Sequence, residues 1–484
     1  MGVFQKLFRQ TFIYGLATVL PRMLSFLLVP LYTDLLPTEE YGKVSIIFSY
    51  FVLFNVILAY GMETAFFRFF NKETDKNKVV STSAISLVLS SLLFFILALL
   101  SKDQITKLTG IQLGHITLVI WILLLDALVI IPFAWLRANE RPGKYSMIKI
   151  FNVAVNFGLN IFFLVFLHKI TFQYPIFDRI CRDNYEINYI FISNVIASGL
   201  TLLLLGVFYA RITYSFDKNL WKRMMKYAFP VLVAGIAFSI NETFDRLILD
   251  YLLPENVADH VIGVYSACYK LALFMTLFAT AFRLGIEPFF FSYAKDRNAP
   301  QTYATITKYF VIIGSFILLF VVAFIDVLKY LILRNDAYWE ALIIVPIILL
   351  ANFCLGIYHN LSVWYKITDR TKFGAYISVV GAMITLVLNV LLIPKYTYVG
   401  SAIATLAAYG VMMILSWYFG KKYYPIPYDL KKIGTYMIAS ISFSIISFYI
   451  FDSNYMVSIP LLLVFLVVLY VFEKREIQQI LKKK

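Results

Sequence analysis

Ten ionisable side chains lie inside long apolar segments of this sequence or just past their ends. Five are basic and five are acidic: Arg22, Lys149, Arg246, Lys270, Arg283, Glu63, Asp126, Glu242, Asp245 and Glu287. A charged side chain at the centre of a membrane-spanning helix costs about 2.5–3.5 kcal/mol. We therefore expect most of these groups to face one another or a water-filled cavity. Basic side chains in such a cavity can bind anions, and acidic side chains can bind H⁺ or Na⁺.

The basic residues of this group differ in their local sequence. Arg22 follows Pro21, where a helix break can free backbone carbonyl groups near a cavity. Lys270 and Arg283 lie 13 residues apart in one predicted helix. At the rise of an α-helix, their spacing is about 20 Å along the axis. The two residues should therefore mark two depths in the membrane.

Two further patterns have helical spacing. Arg246 lies four residues after Glu242 and can pair with it, whereas Asp245 faces elsewhere and needs its own partner. A polar stripe recurs along another segment at Lys149, Asn152, Asn156 and Asn160. Such a stripe can form hydrogen bonds with sugar hydroxyl groups, or it can hold neighbouring helices together.

The composition places these residues in a membrane protein. The 484 residues are 61% apolar and 15% charged, whereas soluble domains are roughly 45–50% apolar and about 25% charged. This excess excludes a cytosolic enzyme, a secreted disulfide scaffold and a disordered regulator. The net charge of +15 comes from basic loops between apolar segments, which indicates membrane topology rather than nucleic-acid binding. The cysteines and histidines show no metal-ligand spacing, so we predict no metal or cofactor.

Apolar runs of about 20 residues without alternation predict membrane-spanning helices rather than barrel strands. Fourteen spans are predicted, at 11–32, 44–66, 79–100, 114–136, 146–167, 188–209, 226–249, 262–285, 304–325, 338–359, 373–394, 399–419, 432–451 and 455–472. With a cytoplasmic N-terminus, 29 of the 43 Lys and Arg residues fall on the cytoplasmic side and 9 on the opposite side. This asymmetry follows the positive-inside rule and predicts that both termini are cytoplasmic.

The sequence also contains an internal repeat. When the chain is aligned with itself so that Trp135 falls on Trp364, the segment 135–141 (WLRANER) matches the segment 364–370 (WYKITDR) without a gap. The segment 34–42 similarly resembles the segment 250–263, because each contains Leu-Leu-Pro followed by a glycine. Copies that are separated by an even number of spans have the same membrane orientation, which is a transporter architecture.

The repeat predicts the domain organisation of an all-α integral membrane protein. The first lobe would comprise residues 1–215 and the second residues 216–425, with six helices each around a central cavity. Residues 426–484 would add two C-terminal helices and a basic cytoplasmic tail.

Residues 20–42 (LPRMLSFLLVPLYTDLLPTEEYG), together with residues 244–247 (FDRL) and 263–270 (GVYSACYK), resemble the polysaccharide (O-antigen, Wzx-type) flippases. These proteins belong to the MATE-like multidrug/oligosaccharidyl-lipid/polysaccharide exporter superfamily. The resemblance implies a multi-pass protein of the bacterial cytoplasmic (inner) membrane with two lobes around a cavity that opens alternately to each side. It also implies an undecaprenyl-diphosphate-linked oligosaccharide as substrate, and a polysaccharide polymerase and glycosyltransferases as partners in making surface polysaccharide such as lipopolysaccharide.

The resemblance suggests roles for the polar residues. Arg22, Lys270 and Arg283, with Arg246 if it is unpaired, would bind the diphosphate. Asn152, Asn156 and Asn160, with Lys149, would line the sugar path. Glu63, Asp126, Glu242 and Asp245 are candidates for coupling to H⁺ or Na⁺.

Three alternatives stay open at this stage. Lipid II flippases, which transport a peptidoglycan precursor, also have fourteen spans and basic cavity residues. Cation-coupled multidrug exporters usually have twelve. A membrane glycan polymerase or ligase would need catalytic groups, for which the longest loop on the opposite side, residues 167–187, offers Asp178, Arg179, Arg182, Asp183 and Glu186. These five form no recognisable catalytic arrangement, so we predict a carrier and not an enzyme.

Overall fold

The computed structural model describes residues 19–20, 23–171, 181–182, 184–294 and 296–482. All regular secondary structure in these residues is helical. By the density of contacts between residues, the chain divides into two compact units, Met1–Gly263 and Val264–Lys484. The predicted all-α fold class is therefore confirmed, while the predicted boundaries of the lobes, which rest on the repeat, stay a prediction.

The helices of the first unit are α1 (Met23–Leu35), α2 (Thr38–Ala59), α3 (Met62–Lys72), α4 (Lys76–Leu100), α5 (Lys102–Thr109), α6 (Leu113–Leu128), α7 (Ile130–Ala138), α8 (Pro142–Ile161), α9 (Leu167–Thr171), α10 (Glu186–Arg211) and α11 (Lys218–Leu252). A π-helical turn, Phe162–Phe166, connects α8 with α9. Helix α12 (Glu255–Leu271) spans the boundary between the two units.

The helices of the second unit are α13 (Leu273–Tyr293), α14 (Ala299–Ala323), α15 (Ile325–Ile332), α16 (Val345–Leu361), α17 (Val363–Ile367), α18 (Lys372–Tyr423), α19 (Leu430–Ile445) and α20 (Tyr455–Lys482). A 3₁₀ helix, Asp336–Ile344, precedes α16, and a π-helical turn, Ile446–Ile450, follows α19. Helices α19 and α20 pack on α14 through a buried ionic cluster. In it the Glu473 carboxylate lies 2.8 Å from Lys308 Nζ and 3.0 Å from Lys432 Nζ.

Eleven helical segments in the described residues are long and apolar enough to span a membrane, or twelve if the bent pair α12–α13 is one span. One of the eleven, α18, has 52 residues. It covers two predicted spans, 373–394 and 399–419, and its helical geometry breaks between them at Thr397 (φ 47°). The first predicted span lies partly outside the described residues. The chain is thus a multi-pass membrane protein, and the count of fourteen spans stays a prediction.

The predicted eighth span is bent instead of straight. Helices α12 and α13 meet at Ala272 at an angle of 49°. Lys270 lies two residues before this break and Arg283 lies beyond it. The two residues therefore do not share one straight helical axis, and the axial distance calculated for a straight helix does not apply to them.

The two copies of the repeated loop have the same local geometry. Glu140 and Asp369, which the alignment of Trp135 with Trp364 superposes, have left-handed backbone angles of φ 51° and φ 55°. After each of them, an arginine N–H donates to a carbonyl five residues earlier, from Arg141 to Leu136 over 3.0 Å and from Arg370 to Tyr365 over 2.8 Å. The two copies of the repeated polar loop therefore form the same type of turn.

The other copied segment forms a close helix contact within the first unit. A Cβ atom added to Gly42 of α2 would lie 1.9 Å from the backbone oxygen of Asp259 in α12. A Cβ atom added to Gly263 of α12 would lie 1.9 Å from the backbone oxygen of Thr38 in α2. The two contacts are reciprocal, since each glycine packs on the residue that precedes the other glycine by four positions. Only glycine allows the two backbones to approach this closely.

Candidate functional site

A cluster of polar side chains lies where α13 meets the end of α16 and the short helix α17. Arg283 and Glu287 are one helical turn apart on α13, so they share a face. The Arg283 Nη1 atom lies 3.5 Å from the Nε2 atom of His359 in α16. The Lys366 Nζ atom of α17 lies 2.6 Å from the Glu287 carboxylate. Two cationic side chains, one carboxylate and one imidazole therefore converge at these helix ends.

These side chains surround a small cavity. Its polar lining comes from Arg283, Glu287, His359, Asn360 and Lys366, and its volume is about 10 Å³. A cavity of roughly 10–15 Å³ holds one water molecule. In this conformation the cluster has no room for a diphosphate, and its cations are held by a neighbouring histidine and by Glu287. Anion binding here requires the helices to separate or Lys366 to leave Glu287.

The other predicted diphosphate-binding residues have different surroundings. Arg22 lies outside the described residues. Lys270 is half-buried in the last turn of α12, beside the bend. Arg246 is 8% exposed on α11 and makes an ion pair of 3.0 Å with the neighbouring Asp245. Of the predicted four, the structure therefore places Arg283 alone in the cluster described above.

The expected pairing of Arg246 with the Glu242 side chain is wrong. The Arg246 guanidinium lies 3.3 Å from the backbone oxygen of Glu242, while its ion pair is with Asp245. The reason is burial: Asp245 is 4% exposed, and a buried carboxylate requires compensation.

The remaining candidates for ion coupling, Glu63 and Asp126, make contacts between helices of the first unit. Glu63 of α3 pairs with Arg137 of α7 at 2.9 Å, and both side chains are about half exposed. The Ser198 hydroxyl of α10 donates to the Asp126 carboxylate of α6 over 2.7 Å. Lys149 lies over the Phe133 ring at 4.3 Å. Coupling to H⁺ or Na⁺ through these acidic residues stays a prediction.

The asparagine stripe of α8 contacts neighbouring helices. The Asn152 amide donates to the Thr201 hydroxyl of α10 over 2.9 Å. The Asn160 side chain accepts a bond of 2.8 Å from the Tyr32 hydroxyl of α1 and donates to Asn156 over 3.0 Å. The bonds to Thr201 and Tyr32 hold α8 against neighbouring helices, which was one of the two roles expected for this stripe. Its role in a sugar path stays a prediction.

Sequence reasoning missed His359 and Lys366. The histidines are scattered along the sequence. Lys366 lies in a predicted loop, so it entered the sequence analysis only as one of the basic loop residues. The contact between Arg283 and His359 joins residues 76 positions apart, so no local periodicity reports it. Their spacing could have indicated the site. His359 and Lys366 lie seven residues apart, about two helical turns, so the two side chains can lie on the same side of consecutive helices.

A sequence profile of the polysaccharide biosynthesis protein family matches residues 7–285. The chain belongs to this family. No curated protein matches the sequence. Solved structures match its fold over nearly its whole length.

The lipid II flippase MurJ in an inward closed conformation has a TM-score of 0.72 at 16% identity, with 96% of this chain and 100% of that chain covered. An inward-facing multidrug resistance MATE transporter of the MOP superfamily has a TM-score of 0.65 at 11% identity, with coverage of 88% and 95%. A MOP superfamily transporter from Pyrococcus furiosus has a TM-score of 0.57 at 14% identity, with coverage of 86% and 94%. At these identities the similarity establishes the MurJ/MATE-like fold and nothing finer.

Proposed function

We propose that this polysaccharide biosynthesis protein flips an undecaprenyl-diphosphate-linked oligosaccharide from the cytoplasmic to the outer leaflet of the bacterial cytoplasmic membrane. The observation that carries the proposal is the Arg283 cluster. It places Arg283, His359 and Lys366 together on apolar helices of a transporter fold. Charged hydrogen-bond donors at such a position can bind the phosphate groups of a substrate. The same groups would be energetically costly if they faced lipid.

The mechanism follows from the chemistry of the cluster. The Arg283 guanidinium can donate two parallel hydrogen bonds to one phosphate, which lysine cannot do. Lys366 supplies a second cation once the diphosphate replaces the Glu287 carboxylate as its partner. The sugars would move along the polar face of α8, and the polyprenyl tail would stay in lipid. Rocking of the two lobes would expose the substrate to each side in turn.

The membrane potential can drive this export. A diphosphate carries roughly two negative charges, and each gains about 2.3 kcal/mol per 100 mV on moving outward across an inside-negative membrane. Entry of H⁺ or Na⁺ through Asp126, Glu63, Glu242 or Asp245 is the competing source of energy. The two sources predict different responses to a clamped potential.

The test is flipping by purified protein in liposomes. We expect outward flipping of an undecaprenyl-diphosphate oligosaccharide, and at least a several-fold loss of net flipping when the potential is clamped to zero, because two charges lose their driving force. Undiminished flipping at zero potential would reject the voltage mechanism. Dependence on an imposed H⁺ or Na⁺ gradient would then assign the coupling ion.

The same liposomes distinguish the alternative functions. Flipping of lipid II in preference to the oligosaccharide carrier would assign the protein to the peptidoglycan pathway. Export of a cationic drug without flipping of either lipid would assign it to the multidrug exporters. Transfer of labelled sugar between lipid-linked molecules would reveal a polymerase or ligase. Any of these three results would overturn the proposed substrate.

A further inference from the structure

A second, larger cavity lies within the first unit, among helices α4, α7, α8 and α10. Its volume is about 240 Å³. Three basic side chains line it, Arg141, Lys144 and Arg211. Its apolar lining includes Trp135, Ile148, Leu204, Val207 and Phe208. The cavity is therefore amphipathic, with a cationic part and an apolar part.

The three basic residues differ from neighbouring cations of the same unit. Arg137 pairs with Glu63 at 2.9 Å, and Arg223 pairs with Glu73 at 2.9 Å. No ion pair joins Arg141, Lys144 or Arg211 to a carboxylate within the described residues. The Arg141 guanidinium lies 5.2 Å from the centre of the Trp135 ring, which also lines the cavity. The cationic part of the cavity is thus left without an anion from the described chain.

The position of the cavity in the membrane indicates which kind of anion it binds. Arg141 and Lys144 follow the fourth predicted span, and Arg211 follows the sixth, so the positive-inside rule places all three on the cytoplasmic side. Leu204 and Val207 are 50% and 53% exposed on the membrane-spanning helix α10. They therefore face acyl chains. The cavity joins the interfacial layer of phosphates to the hydrocarbon layer.

We propose that this cavity binds an acidic membrane phospholipid. The headgroup phosphate would lie among Arg141, Lys144 and Arg211, and an acyl chain would pack beside Trp135, Leu204 and Val207. Basic pockets between membrane helices on the cytoplasmic side suit anionic headgroups. This site is separate from the Arg283 cluster and does not depend on the proposed transport function.

The internal repeat supplies a comparison. The alignment that superposes Trp135 on Trp364 also places Lys144 on Phe373. In the second unit, the Trp364 ring packs against the Phe373 ring at 5.3 Å and the Tyr423 ring at 5.9 Å. Arg370, the counterpart of Arg141, lies over the Tyr423 ring at 4.2 Å. Aromatic rings thus occupy the position where the first unit has a basic cavity, so the cavity is not a requirement of the repeated fold.

The comparison suggests two variants for a binding experiment. Arg141→Gln/Lys144→Gln/Arg211→Gln removes the positive charge, and Lys144→Phe introduces the residue of the second unit. Lys222→Gln is the matched control, because Lys222 is an exposed basic residue of the same side that does not line the cavity. The fluorescence of Trp135, obtained by difference from Trp135→Phe, reports a brominated acyl chain in contact with the cavity.

The protein is reconstituted in phosphatidylcholine vesicles with rising fractions of brominated phosphatidylglycerol or brominated phosphatidylcholine. We expect phosphatidylglycerol to quench Trp135 at an about fivefold lower fraction than phosphatidylcholine. This preference should disappear in the triple variant and in Lys144→Phe, and should persist in Lys222→Gln. Thermal unfolding verifies that each variant is folded.

Three results would overturn the assignment. Equal quenching of the wild-type protein by the two lipids would show that the cavity does not select an acidic headgroup. An undiminished preference in Lys144→Phe would place the acidic lipid elsewhere. Removal of the preference by inorganic phosphate alone would show a site for small anions rather than for a lipid.

Discussion

Replacing Arg283 with glutamine should lower the rate of flipping in liposomes at least about a hundredfold. A hydrogen bond to a charged group contributes about 1.5–3 kcal/mol, and loss of two such bonds to the diphosphate corresponds to roughly this factor or more. Arg283→Lys keeps the positive charge but loses the planar pair of donors. Its flipping rate should therefore lie between those of the wild type and Arg283→Gln. The measurement is initial flipping rate against substrate concentration, with insertion and folding verified for each variant.

The matched control for this change is Arg297→Gln. Arg297 is an exposed basic residue close after α13 in the chain, and its replacement should leave flipping within about twofold of the wild type. Lys366→Gln should also lower the rate, since it removes the second cation of the cluster. Wild-type flipping by Arg283→Gln would refute the assigned role of the cluster.

A methyl group at either glycine of the contact between α2 and α12 should also have a large effect. In Gly263→Ala the new Cβ would lie 1.9 Å from the Thr38 backbone oxygen, and in Gly42→Ala it would lie 1.9 Å from the Asp259 backbone oxygen. A backbone atom cannot turn aside as a flexible side chain can, so the two helices must separate. Such overpacking costs about 1–3 kcal/mol or more.

The contact is on the predicted outer side, where Thr38 Oγ1 also lies 2.7 Å from His260 Nδ1. We expect both glycine variants to lower the thermal unfolding midpoint and to reduce flipping at least about tenfold, because the two helices can no longer pack at this distance. Gly206→Ala in α10 is the control, since no atom lies within 4 Å of its added Cβ. Loss of stability in that control, or normal flipping by both contact variants, would contradict this interpretation.

The fold could be predicted from sequence because lipid imposes long apolar runs and leaves the polar residues to the loops. For this reason residues 135–141 and 364–370 reveal the repeat, and both copies form the same left-handed turn at Glu140 and Asp369. The break at Thr397 follows Pro394 by three residues. It falls between two predicted spans.

The bend at Ala272 could not be predicted, because neither proline nor glycine marks it in the sequence. Helix-breaking residues are the usual signal for a break.

The candidate site was predicted only in part. Arg283 was found because a charge in an apolar run is conspicuous. His359 was missed because its partner is 76 residues away in the sequence, and such a contact depends on how α13 packs against α16. The pairing of Arg246 was predicted from helical spacing, which ignores burial. The buried Asp245 carboxylate, and not spacing, determines where that guanidinium points.

Access of water to the ionic groups tests the central claim most directly. Cysteines at positions 270 and 283 can be probed in liposomes with a membrane-impermeant thiol reagent, in a Cys181→Ser background that retains the buried Cys268 and Cys354. Leu203→Cys is the control, because Leu203 is 74% exposed on an apolar face of α10 and should contact lipid. We expect labelling of Lys270→Cys and Arg283→Cys, and no labelling of Leu203→Cys. Failure of the reagent to reach either 270 or 283 would contradict a water-filled substrate path lined by these charges.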